Sequence, residues 1–220
     1  MSDATRATAA NWVALARAFD GCLAGWSQHL DATWVEPWLA SAGACGSNPS
    51  SSRAHWLAFG RWCGPPPSIG DLDSLAGHWC LMRREHRLAR LCALALARRP
   101  GVLRSCVRRD ARQALHAFLG PCGEALAADA TRGACVPAAL AERPPIEWAW
   151  VGYADMSRAM RWPTRSLRRW VRLGLPRQWP RALQPLLAAA DPFELGEKMT
   201  EVERWFEPIE DLVARTEEVT

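Results

Sequence analysis

The chain has 220 residues, of which 49% are apolar, and a formal net charge of +4, so it can bury a full core and is not a disordered chain. It contains no uncharged apolar run of about 18 residues, which excludes a membrane-spanning helix, and its first residues lack the pattern of a secretory signal. The eight cysteines stand at irregular intervals without a CxxC pair, which favours buried, reduced thiols in a cytoplasmic protein over disulfides or a zinc site.

Helical periodicity begins close to the N-terminus. Trp12, Leu15 and Phe19 recur at helical spacing, in a first helix that we expect to start near residue 5. The tryptophan-rich residues 26–40 are predicted to form two short helical pieces joined by turns.

Two segments interrupt this pattern. Residues 41–53 (SAGACGSNPSSSR) are small and polar, which predicts a mobile loop. Residues 63–71 (CGPPPSIGD) contain three consecutive prolines, which lack backbone donors and resist a helix, so they predict a second break.

The strongest helical patterns follow. Residues 73–99 form an apolar stripe, and four arginines lie mostly off it: Arg83, Arg84, Arg87 and Arg90. A second helix is expected over 102–119, with Val107 and Phe118 among its inward residues. A third is expected from Pro145, which suits a first helical turn, to residue 160.

The C-terminal part combines a basic helix with an acidic segment. A helix is predicted over 164–173, and Asp191 followed by proline marks the start of a last amphipathic helix, which includes Phe193. Residues 191–220 carry a net charge of −7, whereas the residues before them carry +11. This asymmetry indicates either a basic face covered by an acidic tail or two surfaces for different partners.

No stretch shows the alternation of a strand, so the sequence predicts an all-α protein. We expect one irregular multi-helix domain over residues 1–190 and an acidic helical segment over residues 191–220.

Four arginines are expected on one face of the basic helix, at spacings of i, i+3, i+4 and i+7: Arg165, Arg168, Arg169 and Arg172. Such a stripe suits carboxylates of the acidic tail or of a partner protein. The alternative is a helix-turn-helix-like DNA-binding regulator that uses residues 155–173. Arg161 and Trp162 depart from that motif, since its turn prefers glycine and a smaller apolar residue.

Thirteen tryptophans are more than a helical core of this size requires. Tryptophan is enriched at the energetic centres of protein interfaces. Core packing accounts for most of them, but we expect part of an N-terminal group to form a partner surface: Trp26, Trp34, Trp38, Trp56 and Trp62.

The sequence offers no constellation for catalysis. It has no glycine-rich phosphate loop, and its five histidines are scattered. We therefore assign no catalytic, cofactor-binding or metal-binding residue, and expect no cofactor and no small-molecule substrate.

Two blocks resemble a known family. They are LARLCALALARRPGVLRSCVRRDARQALHAFLG (88–120) and GYADMSRAMRWPTRSLRRWVRLGLP (152–176). Together they resemble the SctK class of cytoplasmic accessory proteins of bacterial type III secretion sorting platforms, which includes YscK, PscK and the Hrp relatives of plant pathogens. Five residues match at like spacing: Gly152, Arg172, Leu173, Leu175 and Pro176.

The resemblance implies an all-helical adaptor without enzymatic activity. It would link the cytoplasmic domain of the inner-membrane ring protein to the pod protein of the sorting platform, at the base of the secretion apparatus. It would not insert into the membrane, and nucleic acid is not an expected partner. The resemblance covers roughly residues 80–180, and residues 191–220 have no match in it.

Overall fold

The computed structural model describes residues 3–44, 52–120, 122–129, 134–187 and 192–217, with the side chains of 3–8, 41–44, 52, 129, 192 and 207–217 left out. These residues form helices and connecting turns without a strand, which confirms the all-α prediction. The helices are α1 Asp3–Ala24, α2 Trp26–His29, α3 Ala32–Ala44, α4 Ser52–Trp62, α5 Ile69–Leu72, α6 Leu75–Leu81, α7 Arg84–Ala97, α8 Gly101–Ser105, α9 Arg109–Leu119, α10 Cys122–Asp129, α11 Ala138–Ala141, α12 Pro145–Arg158, α13 Arg165–Leu173, a 3-10 helix Arg181–Leu186, and α14 Pro192–Glu217.

Contacts divide the chain into two compact units. The first unit comprises residues 1–87 and 162–179, and the second comprises residues 88–161 and 180–220. Residues 84–87 of helix α7 belong to the first unit, and its remaining residues belong to the second. The predicted division near residue 190 stays a prediction.

An aromatic cluster forms the centre of the first unit. Trp26, Phe59 and Trp170 are each almost completely buried. The Trp26 and Trp170 ring centroids lie 4.9 Å apart, and that of Phe59 lies 5.9 Å from Trp170. Large rings from α2, α4 and α13 therefore hold three distant parts of the sequence together.

Arg87 lies fully buried beside this cluster. Its guanidinium donates to the carbonyl oxygens of Cys80 (3.1 Å) and His29 (3.4 Å) and lies 5.9 Å from the Trp170 ring centroid. Trp170 Nε1 also donates to the Cys80 oxygen, at 3.1 Å. Burial, with the positive charge of Arg87 adding to it, lowers the pKa of His29 to about 4, so the imidazole is neutral at pH 7.

The prediction of one continuous helix over 73–99 is wrong, and these contacts explain why the helix is interrupted. The chain leaves the helix at Met82, whose ψ is 156°, and α7 starts at Arg84. Ending α6 there frees the Cys80 carbonyl for Arg87 and Trp170. The prediction that Arg87 and Arg90 lie off the buried face is also wrong, because both are buried.

The centre of the second unit is the α7 segment from Leu88 to Ala97, every residue of which is buried. Helix α12 approaches it at Gly152, where a Cβ atom would lie 1.9 Å from the backbone oxygen of Leu91. Only glycine permits this separation, since any side chain would overlap the facing backbone.

A buried carboxylate anchors the end of α7. Asp155 of α12 is fully buried, and its oxygens lie 2.9 Å from Arg98 Nη1 and 2.7 and 3.0 Å from Arg99 Nη1 and Nη2. Arg99 also donates to the carbonyl oxygen of Leu186 at 2.9 Å. Two guanidiniums on one carboxylate stabilise a charge that burial alone would penalise heavily.

Helix α14 packs in the second unit through one apolar stripe, in which four side chains are buried: Leu195, Met199, Val202 and Phe206. Glu203 forms an ion pair with Arg90 at 3.0 Å, and the Arg90 guanidinium lies 4.5 Å from the Phe206 ring centroid. Phe193, predicted on the apolar face, is instead 72% exposed. Asp191, the predicted cap, lies outside the described residues.

Other boundaries also differ from the predictions. The predicted loop over 41–53 is helical at both ends, because α3 and α4 extend into it, and residues 45–51 lie outside the described part. The break over 63–71 ends at Ser68, whose side chain caps α5. The helix over 102–119 is interrupted after Ser105, where Arg112 binds the carbonyl oxygen of Cys106, and Val107 is 68% exposed.

We expect the substitution Gly152→Ala to lower the free energy of unfolding by about 3 kcal/mol, because its Cβ would force the Leu91 backbone away. Urea unfolding followed by far-UV circular dichroism measures the change. Gly60→Ala in α4 is the matched control, since a Cβ there meets nothing within 4 Å and the helix gains up to about 1 kcal/mol. Equal stability of the two variants would contradict the close approach.

We expect Asp155→Asn to destabilise the protein by about 3–5 kcal/mol, because the isosteric amide removes the buried carboxylate charge that faces both Arg98 and Arg99. The control is Glu201→Gln, which removes the same charge from a solvent-accessible ion pair with Lys198 and costs at most about 1 kcal/mol. Thermal unfolding of both variants provides the comparison. Similar melting temperatures would show that the carboxylate charge is dispensable.

Candidate functional site

Helix α13 of the first unit is amphipathic, as the sequence predicts. Thr164 caps its first turn by accepting a hydrogen bond from the backbone N–H of Leu167 at 3.2 Å. Leu167, Trp170 and Val171 are buried on one face. The four arginines occupy the other face, with Arg165 and Arg169 exposed and with Arg168 and Arg172 half-buried.

Arg172 closes the C-terminal end of this helix. Its guanidinium donates to three consecutive carbonyl oxygens, those of Leu175 (3.2 Å), Pro176 (3.0 Å) and Arg177 (2.6 Å). These oxygens belong to the turn that follows α13, and the Leu175 oxygen also accepts from Trp34 Nε1. A cation near the C-terminus of a helix also complements the helix dipole. Arg172 therefore fixes the backbone that follows α13 while it keeps its formal charge.

Trp34 of α3 packs against this capped turn. Its indole Nε1 donates to the carbonyl oxygen of Leu175 at 2.9 Å, and its ring lies 5.0 Å from the Arg172 guanidinium and 5.6 Å from that of Arg177. Trp62 of α4 meets it edge-on, with 6.0 Å between ring centroids. Two guanidiniums on one indole are a favourable cation–π arrangement.

The start of α3 is held in place by Asp31. Its carboxylate accepts hydrogen bonds from the backbone N–H and hydroxyl of Thr33 and forms an ion pair with Arg84 at 2.7 Å. Arg84 in turn donates to the carbonyl oxygen of Gly174, and the Thr33 hydroxyl accepts from the backbone N–H of Arg177. Helix α3 and the turn after α13 are thus joined by several hydrogen bonds.

These side chains surround a groove in the first unit, with a volume of about 590 Å³. Eight residues line it: Trp34, Pro37, Arg61, Trp62, Arg169, Arg172, Leu173 and Arg177. Four of the eight carry a positive charge, and no carboxylate is among these lining residues. We call this the Arg–Trp groove.

The Arg–Trp groove unites two sets of residues that the sequence singled out separately. It brings Arg169 and Arg172 of the basic helix together with Trp34 and Trp62 of the N-terminal group. Four lining residues were not predicted from the sequence as site residues: Pro37, Arg61, Leu173 and Arg177. Of these, Leu173 was named only as a residue that matches the family resemblance. The two cations among them, Arg61 and Arg177, lie outside the helical stripe, so its periodicity carried no signal for them.

The remaining candidate residues lie elsewhere. Trp26 and Trp38 are buried, and Trp56 is 38% exposed with its ring 5.7 Å from that of Phe19. Arg165 and Arg168 do not line the groove. The proposal of a partner surface therefore rests, among the five tryptophans, on Trp34, Trp62 and the exposed edge of Trp56.

A buried thiol lies below the groove. Arg169 Nη1 approaches the backbone oxygen of Cys63 at 3.5 Å, and burial raises the pKa of the Cys63 thiol to about 12, against a smaller opposite effect of Arg169. A thiol with this pKa stays protonated at pH 7 and is a poor nucleophile. The electrostatics of the groove are therefore those of its guanidiniums.

The polar side chains of α13 serve the fold. Thr164 caps the helix, and Ser166 is buried with its hydroxyl 2.9 Å from that of Thr164. Base readout usually needs such side chains to face the groove of a duplex. The turn before α13 contains a residue with left-handed backbone geometry, but that residue is Met160 (φ 52°) and not the glycine that a helix-turn-helix motif prefers. Nothing among the described residues, and none of the comparisons below, supports the DNA-binding alternative.

No group of three or more His, Cys, Asp or Glu side chains among the described residues is placed to hold a metal ion. None of the described helices has the length and apolar character needed to cross a membrane.

Comparison with known families shows a match over most of the chain. Residues 4–206 match the family of the bacterial type III secretion protein HrpB4. The chain belongs to this family. The match covers nearly the whole chain and agrees with the resemblance to the Hrp-type members of the SctK class. Searches of the curated proteins and of the solved structures found no match.

Four of the residues that carry the family resemblance contribute to packing or hydrogen bonding in the structure. Gly152 permits the approach of α12 to α7, and Arg172 caps α13. Leu173 and Leu175 are buried, and their backbone oxygens accept from Asp31 N–H and from Trp34 Nε1. In this HrpB4 family member, Gly152 therefore maintains the packing of the second unit, and the other three maintain the fold of the first unit around the groove.

We expect Arg172→Ala to lower the free energy of unfolding by about 2–3 kcal/mol, because three carbonyl oxygens and the Trp34 ring lose their cation. Arg165→Ala on the exposed face of the same helix is the control and should stay within about 0.5 kcal/mol of the parent protein. Urea unfolding measures both. Equal effects would mean that Arg172 does not cap the helix.

Proposed function

We propose that the protein is a non-enzymatic adaptor of a bacterial type III secretion system. It links the cytoplasmic domain of the inner-membrane ring protein to the pod protein of the sorting platform. In this role it resides in the cytoplasm, peripheral to the inner membrane at the base of the apparatus. Membership of the HrpB4 family supports the secretion system as its setting.

The observation that carries the adaptor role is the Arg–Trp groove. Arginine and tryptophan are the residues most enriched at the energetic centres of protein interfaces, and this groove gathers four arginines and two tryptophans. A concave surface of this kind gives a partner both charge and apolar area within one site.

The second unit supplies another surface with a different charge pattern. Two described acidic residues of α14 pair there with arginines: Glu203 with Arg90 of α7, and Glu194 with Arg98, which follows α7. The further acidic residues of 207–220 follow along the chain. Two compact units with unlike charge support the engagement of two different partners.

Co-purification tests this function. The tagged full-length protein is expressed with the cytoplasmic domain of the ring protein, with the pod protein, or with both, and the complexes are resolved by size-exclusion chromatography. We expect two binary complexes and one ternary complex that contains all three chains.

The same tag on an unrelated helical protein of similar charge is the control. Mutual exclusion of the two partners would contradict a linking role, as would retention of only one of them. A gel-shift titration of duplex DNA against salt runs in parallel, because tight binding with a steep salt dependence would favour a DNA-binding protein instead.

A further inference from the structure

We infer that the Arg–Trp groove binds a short, carboxylate-rich peptide segment of a partner protein. The segment would present glutamate or aspartate side chains to the guanidiniums and one apolar side chain to the floor of the groove. This inference names the chemistry of one partner and so takes its biological setting from the proposed adaptor function.

Charge complementarity is the first argument. Arg61, Arg169, Arg172 and Arg177 place four guanidiniums around one cavity whose lining includes no carboxylate. Arg172 and Arg169 donate there to carbonyl oxygens, and such neutral acceptors orient a guanidinium without cancelling its charge. The planar fork of arginine binds a carboxylate through two parallel hydrogen bonds, so an acidic segment matches this lining best.

Preorganisation is the second argument. Arg172 is held by three carbonyl oxygens, and Trp34 is held by its hydrogen bond to Leu175. A binding site whose side chains are already ordered loses less conformational entropy when a ligand binds. The floor of Trp62, Pro37 and Leu173 is apolar and adjoins the arginines.

The size of the groove indicates the length of the segment. A volume of about 590 Å³ lies within the range of sites that hold a small ligand, about 300–1,000 Å³. The groove therefore accommodates a few residues of an extended or single-turn peptide, with the remainder of the partner lying outside it.

The aromatic geometry disfavours a nucleic acid. Proteins bind single strands by stacking bases on open aromatic faces. The Trp34 ring instead has two guanidiniums over it, at 5.0 and 5.6 Å, and the edge of Trp62 against it.

A binding assay with designed peptides tests the inference on the full-length protein. The probe is a fluorescein-labelled peptide of alternating glutamates with one central phenylalanine, and its matched control has glutamine at every glutamate. Fluorescence anisotropy gives both dissociation constants. We expect the acidic probe to bind at least about 30-fold more tightly than its control and to weaken as salt is raised.

Charge reversal locates the binding site. The double variant R169E/R177E should weaken binding of the acidic probe by about 30-fold or more, since two guanidiniums of the groove become carboxylates. The matched control R17E/R53E reverses the same number of exposed arginines outside the groove and should change binding by less than about three-fold. Circular dichroism and thermal unfolding confirm that each variant folds.

Several outcomes would overturn the inference. They are equal binding of the two peptides, equal loss in the two double variants, and tighter binding of duplex DNA or of phosphatidylserine vesicles at the groove. Tighter binding of a peptide of residues 207–220 would assign the groove to the acidic tail of this chain. If both platform proteins co-purify but the acidic probe does not bind, only the inference about the groove is contradicted. If the acidic probe binds but the platform proteins do not co-purify, only the proposed function is contradicted.

Discussion

The burial of arginine side chains along α7 is the constraint on which the rest of the fold depends. Arg87 and Arg90 lie almost completely buried, and Arg98 and Arg99 follow directly on the helix. Burying a guanidinium costs roughly several kcal/mol of folding free energy unless acceptors surround it. The chain must therefore bring acceptors to each of these arginines. It does so over long sequence distances, because Glu203 is 113 residues from Arg90 and Asp155 is 56 from Arg99.

Arginines of both units bind carboxylates in some places and carbonyl oxygens in others. In the second unit Arg90 and Arg99 pair with the carboxylates of Glu203 and Asp155, and Arg84 of the first unit pairs with Asp31. In the first unit Arg87 and Arg172 bind carbonyl oxygens, and Arg169 lies against another. Neutral acceptors fix a guanidinium and leave its charge in place. Arg169 and Arg172 therefore present positive charge at the Arg–Trp groove, where it can attract an anionic partner.

Patterns of residues close in sequence predicted the helices whose position depends on those residues. The spacing of apolar and basic residues placed α13 correctly. The burial of Arg87 could not be predicted, because periodicity counts arginine as a surface residue, and the end of α6 at Leu81 has no glycine or proline to mark it. The groove depends on tertiary contacts, since Pro37, Arg61 and Arg177 come from three separate segments.

The family resemblance and the groove overlap only in part, because Arg172 and Leu173 belong to both sets of residues. Two other matching residues act on the backbone: Gly152 removes a steric clash within the second unit, and Leu175 presents its oxygen to Trp34 from a buried position. Of these two, Leu175 helps to fix a wall of the groove. Arg169 and Arg177 contribute charge at its exposed rim and are not needed for those backbone contacts. A chain with the same scaffold and different rim residues would therefore keep the fold and change its partner.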